Sequence, residues 1–131
     1  LSLHDALPIS LSREEFRDRV REALRSLGEP LALADNPLIH CQAVRARVPT
    51  RADVAARAAG LQAVLLEQIE ALGGGDRGDA WRRVVRAAYV GPAGKQEAVA
   101  RRLGLSYSTF RRQLAAATEH IVARLWQFEV E

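Results

Sequence analysis

Apolar residues recur every three to four positions along most of this chain, and the period-two alternation of a half-buried strand is absent. The pattern predicts an all-α multi-helix bundle. Ser12 and Glu15 stand at capping-box spacing ahead of Phe16, Val20, Ala23, Leu24 and Leu27, which share one helical face until Gly28 and Pro30 stop it. A second helix is expected from Asn36, with Pro37 at the favoured first position and Leu38, Ile39, Cys41, Ala43 and Val44 to bury; Pro49 ends it. Thr50 and Asp53 repeat the cap spacing, with Asp in place of Glu, and open a long helix to about Leu72. Its stripe is Val54, Ala58, Leu61, Val64 or Leu65, Ile69 and Leu72. Gly73, Gly74 and Gly75 with the following DRGD form the clearest break, a hinge or loop over 73–79. Beyond it, Trp81, Val84, Val85, Ala88 and Tyr89 predict a shorter helix ended by Gly91 and Pro92.

The stretch 96–114, QEAVARRLGLSYSTFRRQL, predicts two helices joined by a tight turn. Ala100 falls where the first helix lies closest to the second, so only a small side chain fits. Gly104 follows the last turn of the first helix, where a left-handed backbone is common and glycine adopts it without a steric penalty. Ser106 can cap the next helix. That helix is expected to run from Tyr107 to about Phe128, because Phe110, Leu114, Ala117, Ile121, Leu125 and Phe128 keep one stripe without a breaker.

Such a pair reads as a helix-turn-helix, and its second helix would present Tyr107, Ser108, Thr109, Arg111, Arg112 and Gln113 to double-stranded DNA. Residues of the first turn meet base edges in that arrangement, while an outward arginine pairs with guanine or clamps a phosphate. Arg101, Arg102 and Lys95 on the first helix are candidates for backbone phosphate, and Arg82, Arg83 and Arg86 would extend the same surface.

Composition adds less than it first suggests. The chain has 131 residues, 48% hydrophobic and 5% aromatic, so its core rests on Ala, Leu and Val. A net charge of +3 favours an anionic partner only mildly, and eighteen arginines against one lysine also reflect GC-rich coding. No apolar run reaches membrane-spanning length, so no membrane partner is expected. One cysteine, Cys41, excludes an internal disulfide and predicts a cytoplasmic chain.

Other motifs fail on their own terms. GPAGKQ (91–96) lacks the glycine that a Walker loop needs at Tyr89 and the Ser or Thr it needs at Gln96. RGD (77–79) falls in the glycine loop by chance. His40 and Cys41 have no companion at metal-ligand spacing. His120 beside Glu119 belongs to no triad or carboxylate pair, so no enzymatic chemistry, cofactor or metal is expected. Trp126 and Phe128, with Ile121 and Leu125, either dock back on the domain or form a homodimer seam.

Residues 80–128 resemble the region-4-like helix-turn-helix of sigma-70-type factors and related bacterial regulators. The resemblance rests on QEAVARRLGLSYSTFRRQLAAATEHIVARL: Glu-Ala, a small residue, Leu-Gly-aliphatic, a Ser cap, then an Arg-rich helix with a Leu-containing tail. It implies a module lying in the major groove of promoter DNA, with base contacts from Tyr107 through Arg112 and phosphate contacts from Arg101 or Arg102. The same region is similar to the C-terminal helical tails of larger multidomain regulators. The chain contains no methionine, and its opening LSLHDALPIS resembles the translation of a common sequencing-adapter oligonucleotide. The expected organisation is therefore a non-native leader (1–10), a helical scaffold (11–72), a glycine-rich linker (73–79) and a helix-turn-helix domain (80–131). Together they read as the C-terminal part of a bacterial transcriptional regulator whose other domains lie upstream. The alternative is a helical protein–protein interaction module attached to a larger upstream effector such as an ATPase.

Overall fold

The computed structural model describes residues 9–92 and 94–131, and every regular element within them is helical. α1 spans Arg13–Arg25, α2 Pro30–Ala34, α3 Gln42–Arg45, α4 Val54–Glu70, α5 Asp76–Val85, α6 Gln96–Arg102 and α7 Tyr107–Val130. A 3-10 turn at Pro37–His40 precedes α3, and a π-turn at Arg86–Val90 follows α5. This is the all-α, multi-helix architecture that the periodicity predicts. Most of the expected leader, and Ala93 of the GPAGKQ motif, lie outside the described residues.

The capping box at the start of α1 forms as read. Ser12 Oγ accepts the Glu15 N–H at 3.1 Å, and Glu15 accepts the Ser12 N–H at 2.9 Å. These bonds favour the ionised form and hold the Glu15 carboxyl below its ordinary range. α1 then buries Phe16, Val20, Ala23 and Leu24.

Four local expectations are corrected. Asp53, not Thr50, caps α4, its side chain accepting the Ala56 N–H at 2.8 Å, so Val54 is the first helical residue and is exposed instead of joining the buried stripe. Pro30 opens α2 as well as following α1, since a proline at the first helical position loses no hydrogen bond; Leu33 is buried as a result. The helix expected from Asn36 to Pro49 is broken at Cys41, whose backbone is extended (φ −72°, ψ 163°). Leu38, Ile39, Cys41 and Val44 are all buried, yet on one continuous helix they would point all the way round its axis. A 3-10 turn and a separate α3 aim them at the same core. Asn36 secures the turn, its Oδ1 accepting from Leu38 N–H at 2.9 Å and its Nδ2 donating to the Arg19 carbonyl at 3.0 Å. Lastly, α5 starts at Asp76, inside the expected linker. Asp76 and Asp79 complement the positive end of the helix, and a Cβ on Gly78 would stand 2.1 Å from the Leu72 carbonyl oxygen. The run 73–75 is thus a corner at which the chain doubles back on itself.

Residues on both sides of that corner share one core. Phe16 and Leu24 of α1, Leu61, Leu65 and Ile69 of α4, Val84 and Val85 of α5, and Phe110 and Ile121 of α7 belong to a single buried cluster. α7 is its spine. α1 runs antiparallel along it: Phe16 meets Trp126 edge-on at 5.2 Å, and Arg17 Nε pairs with Glu119 Oε2 at 3.1 Å. Of the two roles open to the C-terminal aromatics, Trp126 takes docking, while Phe128 stays half exposed. Among the described residues no helix is long and apolar enough to cross a membrane.

Cys41 is buried beside the end of α7, and desolvation pushes its thiol up to about 11 from 9.0, with Glu129 adding to the shift. Iodoacetamide at pH 8 is therefore expected to leave the folded protein unmodified and to alkylate it fully in urea, as mass spectrometry would read. Rapid labelling of the native chain would contradict this burial. The same shift has a consequence for stability. The native state keeps its advantage below about pH 9 and loses it as the pH rises towards 11, because the unfolded thiol ionises first.

Candidate nucleic-acid interface

The turn between α6 and α7 is fixed by its own backbone. The Leu105 N–H donates to the Ala100 carbonyl at 3.0 Å and the Gly104 N–H to the Arg101 carbonyl at 3.0 Å, the paired bonds of a Schellman motif. Gly104 has φ +72°, the left-handed conformation that this motif requires. Val99 and Ala100 are buried, with Ala100 the small residue that the sequence places at the helix contact. Leu103 and Leu105 pack partly against the core.

α7 opens with Ser106 as its cap. Ser106 Oγ accepts the Thr109 N–H at 3.2 Å and donates to Thr109 Oγ1 at 2.9 Å. Arg112 Nη2 donates to the same Thr109 hydroxyl at 3.5 Å. Thr109, half-buried, is thus a member of the cap. Tyr107 and Ser108 are exposed, and the Arg111 guanidinium lies 5.6 Å from the centre of the Tyr107 ring, a cation–π pair that orients both side chains. Gln113 is half-buried, with its Oε1 out of solvent and without a hydrogen bond. On the other side of the turn, Lys95, Arg101 and Arg102 are exposed.

Phe110, Leu114 and Ala117 face the core, whereas Ser108, Arg111, Arg112, Ala115 and Ala116 face outward. From residue 98 to residue 118 the chain carries Arg101, Arg102, Arg111 and Arg112 and no carboxylate. The surface of this turn is therefore positive, rich in hydrogen-bond donors and free of acceptor charge, the chemistry that suits phosphate and the acceptor edge of guanine. The arginines of the preceding helix join it only in part. Arg82 is paired with Asp79 at 3.4 Å and Arg86 with Glu70 at 3.2 Å, which leaves Arg83, also exposed, as the one of the three outside an ion pair among the described residues.

Elsewhere the chemistry is sparser. The Tyr89 hydroxyl of the π-turn bonds to Thr118 on α7, and burial pushes its pKa up. The Trp81 and His120 rings meet at a tilt with their centres 5.4 Å apart, so His120 covers a helix surface. Among the described residues no three His, Cys, Asp or Glu side chains converge as a metal site would need. At the far end of the bundle, an open groove of about 690 Å³ is lined by residues of α3, α4 and α7, including Val64, Glu67, Gln68, Arg124 and Phe128. Comparison with protein-family models, with curated proteins and with solved structures finds no match.

Proposed function

We propose that α6 and α7 form a helix-turn-helix that binds double-stranded DNA within a bacterial transcriptional regulator, in the manner of sigma-70 region 4. One observation carries the reading: the first two turns of α7 and the outer side of α6 expose four arginines and Lys95 around a capped turn that holds no carboxylate after Glu97. Ser108, Arg111 and Arg112 are assigned to base edges and adjacent phosphate, with Tyr107 bracing Arg111. Arg101, Arg102 and Lys95 are assigned to phosphate. Thr109 and Gln113 leave the contact set, the first for the helix cap and the second for the edge of the core.

The test is fluorescence anisotropy with a labelled mixed-sequence duplex at low salt. The protein is expected to bind, with log K falling linearly against log salt. The double variant R111A/R112A is expected to bind roughly tenfold or more weakly with an unchanged melting temperature, because both side chains are exposed. No binding at low salt, or binding indifferent to the double change, would sink the reading.

The second reading, an interaction module serving an upstream effector, is favoured by the groove beside Phe128. It predicts that R111A/R112A is silent.

A further inference from the structure

Arg17, Arg21 and Arg25 stand four apart on α1 and so occupy one flank of that helix. The ion pair between Arg17 and Glu119 fixes which way this flank looks: towards the outer side of α7. Because α1 runs antiparallel to α7, each further turn of α1 carries the flank nearer to the start of α7. Tyr89 ties this flank to α7 from a third element. Its hydroxyl meets Thr118 on α7 and feels the charges of Arg25 and Arg21. One turn before Glu119, α7 presents Ala115 and Ala116, both exposed and too short to cover a neighbouring guanidinium. One turn before those come Arg111 and Arg112.

Arg21 and Arg25 are exposed, and neither is in an ion pair among the described residues. The nearby carboxylates leave both arginines without an ion pair. Glu22 is held by Arg19 at 2.9 Å and Glu119 by Arg17, while Asp18, one turn before Arg21, and Glu29, four residues after Arg25, are exposed and pair with neither among the described residues. Gathering like charges on one side of a fold works against its stability and raises the local potential for an anion. A row of two uncommitted arginines beside two more is a surface suited to a polyanion with regularly spaced charge.

We propose that Arg21 and Arg25 of α1 form a phosphate-holding flank of the duplex interface, gripping the DNA backbone beside the groove that the first turns of α7 enter. The proposal rests on the duplex-binding reading above and adds to it a contact from outside the helix-turn-helix. It makes α1 the element that sets how α7 lies along the duplex, since phosphate contacts fix register and orientation without reading sequence.

The test uses the full chain and the same labelled duplex over a salt series, comparing wild type, R21A/R25A, R21K/R25K and R111A/R112A. Loss of two phosphate contacts is expected to make the log K against log salt slope shallower by about 1.8 and to weaken binding roughly tenfold at low salt. R21A/R25A is expected to melt no lower than wild type. R21K/R25K is expected to restore most of the affinity, because a phosphate contact needs the charge more than the guanidinium fork. Unchanged affinity and slope in R21A/R25A, with R111A/R112A still weakened, would overturn the flank and leave the duplex reading standing. Failure of every protein to bind would overturn both. A lowered melting temperature, not restored by lysine, would give the pair a structural role and overturn the proposal.

Discussion

Phe110→Ala is expected to lower the free energy of unfolding by about 3–5 kcal/mol, a large share of what a domain of this size holds in reserve. Phe110 is fully buried, at 0% exposure, and among the largest such side chains in the chain. It lies in the first turn of α7, between the cap residue Thr109 and the exposed Arg111. Its ring holds the start of α7 against the core and so aims the outward arginines. Removing it deletes the apolar area of a whole aromatic side chain and leaves a void whose backbone walls, fixed by the Ser106 cap and the Schellman turn, can close only in part. Urea denaturation followed by far-ultraviolet circular dichroism should show the midpoint falling with little change in slope. Phe110→Leu, which keeps most of the volume, should lose less than about 1.5 kcal/mol. If the alanine variant unfolds within about 1 kcal/mol of wild type, the packing described for the start of α7 is wrong. Duplex binding should fall with the fold in Phe110→Ala, whereas R111A/R112A should lose binding and keep the fold, which separates aiming from contact.

What the sequence makes legible here is what neighbouring residues decide among themselves. The box at Ser12 and Glu15, the cap at Ser106 and the left-handed Gly104 each involve residues within a few positions of one another, and each forms as read. The stripes of α1, α4 and α7 are legible for the same reason, since burial on one face leaves a 3.6-residue period. The break at Cys41 follows a different rule. Leu38, Ile39, Cys41 and Val44 look like a helix locally, and only the shared core they must all reach separates the 3-10 turn from α3. Gly78 reads as one more glycine in a loop until its closeness to the Leu72 carbonyl is known. In the candidate interface, spacing places at least one of Arg111 and Arg112 outward, and the structure exposes both; spacing does not reveal that Thr109 joins the cap or that Gln113 turns towards the core. The row Arg17, Arg21, Arg25 is visible as a spacing, yet its meaning depends on the pairing of Arg17 with Glu119 more than a hundred residues away.

Glu129 is the extreme case of that dependence, and its replacement by alanine is expected to cost about 2–4 kcal/mol. A charged residue near the end of an exposed-looking helix would ordinarily be tolerant of change, but Glu129 is only 2% exposed. Its two carboxylate oxygens serve two distant segments. Oε1 accepts the Gln42 N–H at 2.8 Å and Oε2 accepts the Ile9 N–H at 2.9 Å. Gln42 is the first residue of α3, and Cys41 before it supplies no side-chain cap. A residue from the end of α7 thus does for α3 what Ser12 does for α1. Deleting the carboxylate leaves two backbone donors without a partner, one of them at a helix start, and opens a void beside Cys41. Against this stands the desolvation of the carboxylate itself, which keeps the net loss well below the gross strength of two charge-assisted bonds. Glu129→Gln separates these effects. It keeps the shape and one acceptor but points an N–H₂ at one of the two donors, so it should lose about half as much. Hydrogen exchange supplies the local readout: the amides of Gln42 and Ile9 should exchange faster in Glu129→Ala, while those in the middle of α4 change only with global stability. An alanine variant as stable as wild type, with the Gln42 amide still protected, would show that α3 is held without this carboxylate. The glutamine variant losing as much as alanine would show instead that both acceptors act as one unit, binding the end of α7 to α3 and to the chain entering α1.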